Sequence, residues 1–151
     1  MADKLPDMTL KAIGIVSNGI KQPPAEGWRR VISDIVVNDE LTEALDNLDK
    51  SSHIIVIYWM HQVDTTGQIP TKVHPRGRKN VPMIGLFSTW SPRRPNPLGE
   101  TTVRLLQRQG NTLRVEGLDA IDGTPVIDIK PYIPGYDSVN DAKVPQWITN
   151  Q

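Results

Sequence analysis

The sequence contains no cysteine in its 151 residues. This absence excludes disulfides and thiolate metal ligands, and it is typical of proteins in a reducing compartment. No stretch approaches the ~18 consecutive apolar residues of a membrane-spanning helix, and the polar start MADKLPDMTL lacks the apolar core of a signal peptide. We therefore expect a cytoplasmic protein without a membrane partner.

A net charge is also lacking, because 17 Lys and Arg residues balance 17 Asp and Glu residues. Overall charge therefore gives no indication of nucleic-acid binding, and only a local cluster can do so. One such cluster of cations comprises Lys72, His74, Arg76, Arg78 and Lys79. It fits two interpretations, a surface that follows a phosphate backbone or a solvated charged loop.

Long helical patterns are scarce, whereas proline is frequent, with 13 residues, and this favours turns over helices. Short apolar and β-branched stretches predict strands at 11–16, 29–37, 53–60, 82–90, 98–107, 112–118 and 124–129. One helix is predicted at 40–49, and turns are predicted at 109–111 and 122–123. Because helices do not alternate with strands, we predict a mainly β fold, a small antiparallel β-barrel with one short helix and long loops.

The stretch His53–Met60 is the strongest predicted strand, and both of its alternating faces are apolar. A strand that has water on one side carries a polar face there, so we expect a helix, a loop or a second subunit to cover each face. We expect a flexible leader at 1–10 and a barrel domain at 11–136 around this strand. An irregular tail at 137–151 is expected to pack on the domain.

Several common catalytic motifs are missing. No G-x-G-x-x-G follows a predicted strand, and the phosphate-loop spacing of Gly14–Gly19 is followed by Ile20 where lysine is required. His53 and His61 lie at opposite ends of one predicted strand, roughly 25 Å apart, so no metal site is expected. His61 ends that strand where a long loop begins, and a ligand contact and a structural role both remain open for it.

The stretch Phe87–Gly99 reads FSTWSPRRPNPLG and contains three prolines. Proline fixes its own φ and disfavours helix at the preceding residue, so this segment is predicted to be a stiff loop. Its adjacent Arg93 and Arg94 offer planar donors on a rigid backbone, which suits a ligand grip. A proline-rich surface turn with solvated arginines is the alternative interpretation.

A second dense stretch, LDAIDGTPVIDIKPYIP, covers Leu118–Pro134. Asp122 heads its turn, where a carboxylate commonly caps a nearby amide. Asp128 and Lys130 are two positions apart on a predicted strand and share a face. They fit either a structural ion pair or a ligand clamp.

Three segments together, LDNLDKSSHIIVIYWMH, SPRRPNPLG and DGTPVIDIKPYIP, resemble the TsaA-like (TrmO-type) family, whose best-understood members are tRNA methyltransferases that use S-adenosylmethionine. The resemblance covers roughly residues 11–136, a short form without the C-terminal extension of larger members. It implies a homodimer that binds S-adenosylmethionine near the subunit interface and methylates the exocyclic nitrogen of threonylcarbamoyl-adenosine in tRNA. The cluster Lys72, Arg76, Arg78 and Lys79 would then steer tRNA.

The resemblance also implies which residues form the site. Cofactor contacts are expected at Gln22, Pro23, Pro24, His61, Gln62, Trp90, Arg93, Leu98, Gly99, Asp119, Ala120, Ile121, Asp122, Gly123 and Thr124. Asp122 or His61 would take a proton from the acceptor nitrogen. Arg93 or Arg94 would bind a carboxylate, developing negative charge or a phosphate, and Arg94 is the one expected to be catalytic. Trp90 departs from the family, which usually has arginine there; the change either alters binding or provides a ring that stacks on a base.

Two other functions remain open at this point. The barrel fits a non-catalytic module that binds S-adenosylmethionine or a related nucleotide and regulates a partner. It also fits a methyltransferase that acts on a small molecule, in which case the basic cluster has no part in substrate binding.

Overall fold

Antiparallel strands close into a barrel in the computed structural model, which describes residues 4–149. The barrel strands are β1 (Gly14–Ser17), β2 (Ile32–Val37), β3 (His53–Trp59), β6 (Leu98–Gln109), β7 (Thr112–Glu116) and β8 (Pro125–Pro131). A separate two-stranded sheet consists of β4 (Lys72–Val73) and β5 (Ile84–Gly85). The order around the barrel is β1–β2–β7–β6–β3–β8, and β8 pairs with β1 to close it. The predicted antiparallel β-barrel is therefore confirmed.

The interior of the barrel is filled by alternate side chains of its strands, as the two-residue period of a strand requires. On β3 these are Ile54, Val56 and Tyr58, which are all buried. The rest of the core comes from the other strands and from nearby loops, with Val16, Ile35, Val37, Leu45, Val103, Leu113, Val115, Leu118, Ala120 and Val126. Each fully buried aliphatic side chain of this kind stabilises the fold by about 1.5–3 kcal/mol.

The outer face of β3 is covered over part of its length. Ile55 is buried, whereas Ile57 and Trp59 are half-buried. Ile57 lines a cavity together with Trp147 and Ile148, which belong to a short C-terminal helix. The predicted cover on both faces is therefore confirmed at Ile55, and beyond it the outer face opens towards this cavity.

The predicted turns have the expected backbone. Gln109 pairs with Thr112, so β6 and β7 form a hairpin through two residues, and Gly110 has a φ of 62°. Gly123, which precedes β8, has a φ of 82°. Glycine adopts positive φ without the strain that a β-carbon causes, and both turns use that freedom.

The prediction of one helix at 40–49 is wrong. The segment forms two 3-10 helices, Asp39–Leu45 and Leu48–Lys50. Asn47 separates them because its φ of 69° breaks the helical path. The apolar stripe also lacks a common partner, since Leu45 is buried in the core but Leu41 is exposed. Packing of a whole apolar face is what stabilises a short helix, and it is absent here.

Two further elements differ from the predictions. The strand predicted at 82–90 is reduced to β5, because the 3-10 helix Leu86–Ser88 follows directly, and the amide of Leu86 donates to the carbonyl of Thr71 at 2.9 Å. The connection at 61–81 contains β4 and the 3-10 helix Pro75–Gly77.

The C-terminal part is not wholly irregular. It contains α1 (Pro134–Asp137) and α2 (Gln146–Thr149).

The predicted leader is partly outside the described residues, and its described part, 4–10, has no regular structure and is exposed. Across residues 4–149 the structure shows no helix with the length and apolar character that crossing a membrane requires.

We expect Gly14→Ala to destabilise the barrel where β1 meets β2. A β-carbon at Gly14 would lie 2.7 Å from the carbonyl oxygen of Val36, too close for contact. The free energy of unfolding, measured by chemical denaturation, should fall by about 1–3 kcal/mol. Gly85→Ala is the matched control, because a β-carbon there meets nothing within 4 Å. Equal stability of the two variants would contradict the close approach at Gly14.

Candidate functional site

Two neighbouring cavities open at one end of the barrel. The small cavity, of about 400 Å³, is lined by residues drawn from 21–28, 58–63 and 119–124, with Pro92 at its edge. The large cavity, of about 840 Å³, is lined by residues drawn from 57–60, 87–101 and the C-terminal helix α2. Both volumes lie within the range of small-molecule sites.

Tyr58, Met60 and Asp119 line both cavities. Tyr58 and Met60 lie at the end of β3, and Asp119 precedes the turn that leads into β8. A ligand in one cavity therefore approaches a ligand in the other at these three side chains.

The carboxylate of Asp122 holds one wall of the small cavity in place. Its Oδ1 accepts hydrogen bonds from the amides of Asn18 and Gly19 at 2.9 and 3.0 Å, and its Oδ2 pairs with Nζ of Lys21 at 3.0 Å. These donors, above all the two amides, lower the pKa of Asp122 to about 2. Such a carboxylate is a weak proton acceptor, and its contacts assign it a structural role.

Asn18 completes the same connection from the other side. Its side-chain amide donates to Oγ of Ser33 at 3.0 Å and to the carbonyl of Ala120 at 2.9 Å. Ser33 is a buried polar residue, and this contact satisfies it. The segment after β1 and the segment before β8 are thereby locked together, so the small cavity has a preformed wall.

Asp119 has a different environment from Asp122. Asp119 is exposed at the mouth of both cavities, at their junction, but the atoms around its carboxyl partly desolvate it and so raise its pKa, because desolvation disfavours the charged form. Tyr58 lies on the same junction, and burial is the largest cause that raises the pKa of its hydroxyl. That hydroxyl lies 2.9 Å from Oγ1 of Thr101. Asp119 is therefore the carboxyl on this junction that is suited to accept a proton.

Gly99 is required for the position of Tyr58. The two residues are directly opposite each other in the β3–β6 pairing. A β-carbon at Gly99 would overlap the Tyr58 ring, so no other residue lets the ring lie across β6. Gly99 was expected as a cofactor contact, and the structure shows that it makes room for the side chain shared by both cavities.

The loop Phe87–Gly99 is organised by Arg94. Its Nη1 donates to the carbonyls of Thr89 at 2.8 Å and Ser91 at 3.1 Å. Its guanidinium carbon lies 5.7 Å from the centre of the Phe87 ring, a cation–π distance. Arg94 thus lines the large cavity while its guanidinium stabilises the loop.

Arg93 lines neither cavity. Its Nη2 donates to the carbonyls of Thr66 and Gln68 at 3.3 and 3.2 Å, so it fastens the long connection to the proline-rich loop. His61 is exposed and lines the small cavity. A β-carbon at Gly123 would lie 3.9 Å from Nε2 of His61, which places the two predicted stretches side by side.

The structure thus brings most of the predicted site residues together. Those that line the small cavity are Gln22, Pro23, His61, Gln62, Asp119, Ala120, Ile121 and Thr124. Those that line the large cavity are Trp90, Arg94, Leu98, Gly99 and again Asp119. Those that line neither are Pro24, Arg93, Asp122 and Gly123. Within residues 4–149 no three potential metal ligands of the His, Cys, Asp and Glu types form a group.

Several residues that line the cavities were not predicted from the sequence. Trp28 lines the small cavity, Phe87 lines the large one, and Tyr58 and Met60 line both. The end of β3 was a usable signal for Tyr58 and Met60, because strand ends at a barrel rim commonly carry ligand contacts. Trp147 belongs to the tail that was expected to pack on the domain, and it lines the large cavity.

Asp128 and Lys130 form an ion pair, with Oδ2 and Nζ 3.1 Å apart. Both side chains are about half exposed, so the contribution of this pair to stability is small, typically below about 1 kcal/mol. They line neither cavity, so the structural interpretation of the pair is favoured over a ligand clamp.

The basic cluster lies on the β4–β5 segment. In the described part of the chain, none of the four cations Lys72, Arg76, Arg78 and Lys79 forms a salt bridge. Arg76 is exposed and has a φ of 53°, a left-handed backbone that costs a non-glycine residue free energy. Their charges are therefore available to a partner, although none of them lines either cavity.

The fold and site define a small antiparallel barrel with two joined, ligand-sized cavities at one end. The chain belongs to the family described as the tRNA-methyltransferase O N-terminal domain, whose family model matches residues 20–138. The resemblance noted in the sequence is therefore confirmed.

Relatives and solved structures agree with this assignment. An S-adenosyl-L-methionine-binding protein of Archaeoglobus fulgidus is 40% identical over 140 residues, 90% of this chain and 97% of that protein. The tRNA (adenine(37)-N6)-methyltransferase of Mus musculus is 41% identical over 103 residues, 67% of this chain and 23% of that protein. The crystal structure of TrmO from Pseudomonas aeruginosa superposes with a TM-score of 0.72 at 27% identity, covering 91% of this chain and 62% of that one. The chain therefore spans less than two thirds of the length of the mouse methyltransferase and of the TrmO crystal structure.

We expect Asp122→Asn to destabilise the protein in a pH-dependent way. The folded state lowers the pKa of Asp122 from 3.8 to about 2, so ionised Asp122 stabilises the fold above pH 3.8, and this stability is lost as the pH falls towards 2. In denaturation series, the gap between wild type and variant should be widest near neutral pH and should narrow across that window.

Asp119→Asn is the matched control, because the folded state shifts the pKa of Asp119 in the opposite direction to that of Asp122. Because the pKa of Asp119 is raised, its ionised form is disfavoured in the folded state. The control variant should be at least as stable as wild type at neutral pH. A pH-independent gap for Asp122→Asn would contradict the assigned role of its charge.

Proposed function

We propose that this chain binds S-adenosylmethionine in the small cavity and methylates the exocyclic nitrogen of an adenine in tRNA. The observation that carries the proposal is the junction of two cavities at Tyr58, Met60 and Asp119, in a member of this family. More specifically, we propose that the methylated adenine is that of threonylcarbamoyl-adenosine. The homodimer and the cytoplasmic location stay predictions.

The small cavity has the chemistry to hold this cofactor. Trp28, Ile121 and Pro92 provide apolar walls for an adenine ring, and the side-chain amides of Gln22 and Gln62 provide hydrogen-bonding groups. The wall formed by Asn18 and the 119–124 segment is fixed by hydrogen bonds before any ligand binds. Asp119 would place a negative charge near a sulfonium.

S-adenosylmethionine, when bound, supplies a methyl group on a positively charged sulfur, which keeps the bonding electron pair when the methyl group leaves. An exocyclic nitrogen attached to a carbonyl and a purine is a poor nucleophile until it loses its proton. Asp119 accepts that proton in our proposal, since it faces both cavities and its raised pKa brings it nearer to the pH of the reaction.

The previously expected proton acceptors have other positions. Asp122 is committed to its three donors and lines neither cavity. His61 lines the small cavity but not the large one, so it is placed to contact the cofactor more readily than the acceptor. Arg94 faces the large cavity, where its remaining donors can bind a carboxylate or phosphate of the acceptor.

The function is tested with the full chain, labelled S-adenosylmethionine and tRNA that carries or lacks the threonylcarbamoyl group. We expect mass spectrometry to find one added methyl group on the adenine nucleoside of the modified tRNA. Cofactor binding in calorimetry without transfer to any tRNA would instead support the non-catalytic binding module. If the methyl group is transferred only to a small molecule, and neutralising the basic cluster does not change the rate, the result would support a methyltransferase that acts on small molecules.

We expect Asp119→Asn to slow methyl transfer by about 10²–10⁴-fold, the usual contribution of a positioned general base. The wild-type rate should rise with pH through the pKa of Asp119, which lies above 3.8, and the variant should lack this rise. The other charged or titratable residues that line the two cavities are unchanged in the variant, so a difference between the two pH profiles is due to Asp119; they are Lys21, Tyr58, His61, Arg94 and Glu100.

Asp128→Asn serves as the control, because Asp128 lines neither cavity and should leave the rate unchanged. Calorimetry separates the possible roles of Asp119. If the variant loses cofactor affinity and keeps the wild-type pH profile, Asp119 is a cofactor contact and not the proton acceptor.

A further inference from the structure

We propose that Trp90, with Phe87 beside it, is a stacking site for a nucleobase of the RNA strand that carries the methyl acceptor. This inference rests on the proposed function, since it requires an RNA acceptor in the large cavity.

Both rings are unusually exposed for aromatic side chains. Trp90 is 82% exposed and Phe87 is 79% exposed, and both line the large cavity. A single exposed apolar residue needs no explanation, but two aromatic rings within four positions at the rim of a cavity indicate a binding surface.

The backbone that carries Trp90 is held rigid on both sides. Arg94 binds the carbonyls of Thr89 and Ser91, the two residues that flank Trp90. Oγ1 of Thr89 donates to the carbonyl of Leu86 at 2.7 Å and accepts from the amide of Ser91 at 3.1 Å. A ring on a preorganised backbone loses little entropy when a ligand stacks on it.

The surroundings of the two rings favour a nucleic acid over an apolar partner. Arg94 places its cation over the Phe87 ring, and the β4–β5 segment with the unpaired cations joins this loop directly. The amide of Leu86, next to Phe87, donates to the carbonyl of Thr71, next to Lys72. Aromatic rings interleaved with cations are the arrangement that binds single-stranded nucleic acids, in which rings stack on bases and cations bind phosphates.

The position of Trp90 also separates this site from the proposed cofactor site. Trp90 lines the large cavity and does not line the small one. Stacking on the cofactor's adenine would require a wall of the small cavity, where Trp28 is already placed. The base that stacks on Trp90 therefore belongs to the acceptor strand.

The test compares the affinities of the full-length Trp90→Ala and Trp90→Phe variants for a labelled anticodon stem–loop RNA with adenine at position 37. We expect Trp90→Ala to weaken binding by about 5- to 150-fold, the effect of losing one stacked base. Trp90→Phe should keep most of the affinity because it keeps a ring. Tyr136→Ala is the control, since Tyr136 is 85% exposed but lines neither cavity.

Salt dependence provides an independent measurement. Stacking releases no counterions, so the ratio of the Trp90→Ala and wild-type dissociation constants should stay constant as salt rises. Neutralising Lys72, Arg76, Arg78 and Lys79 should instead flatten the salt slope. Calorimetry with S-adenosylmethionine should show unchanged cofactor affinity in Trp90→Ala.

Three results would overturn the stacking site. The first is wild-type RNA affinity in Trp90→Ala. The second is a loss of cofactor affinity with RNA affinity retained, which makes Trp90 a cofactor contact. The third is a change in oligomeric mass with RNA affinity retained, which makes the rings a contact between copies of this chain. If Trp90→Ala weakens RNA binding although the wild type methylates no tRNA, the proposed function fails, and Trp90 stacks on a bound RNA that is not a methyl acceptor.

Discussion

The carboxylate of Asp122 joins two loops that are 101–104 positions apart in the sequence, and the shape of the small cavity depends on it. The same segment carries Asp119, three positions earlier, exposed between the two cavities and without the donors that hold Asp122. One environment lowers the pKa of a carboxyl and the other raises it. Neighbouring titratable groups whose pKa values are pushed apart are typical of sites that divide structural and proton-transfer roles. Here Asp122 has the structural role, and Asp119 is the carboxyl that takes the proton in our proposal.

The barrel itself was predictable because its signals are local. The continuous run of β-branched and aromatic residues in β3 and the glycine turn at Gly110 each specify a conformation within a few residues. The helix at 40–49 and the strand at 82–90 failed because their patterns need a tertiary partner. The apolar stripe around Leu45 is only partly buried, and the segment after β5 turns into a 3-10 helix. Sequence periodicity alone does not show whether such a partner exists.

Most of the residues that the resemblance named line one of the two cavities, since its motifs lie at strand ends or in the loops that join them at one rim of the barrel. What could not be predicted is how each side chain is used there. Gly99 matters because it leaves room for the ring of Tyr58, and Arg93 holds a neighbouring loop instead of a ligand. Such roles depend on which atoms meet across the fold, and a motif names only residue types.

The loop Phe87–Gly99 shows how one substitution can be tolerated at such a site. The resemblance leads us to expect arginine where this chain has Trp90, and a cation at that rim would bind an anionic part of the acceptor. Arg94 keeps a guanidinium on the large cavity while its Nη1 holds the loop in shape. With a cation retained nearby and the backbone fixed independently of residue 90, that position can exchange charge recognition for stacking. The rigidity of the loop, which comes from its prolines and from Arg94, is what makes such an exchange possible.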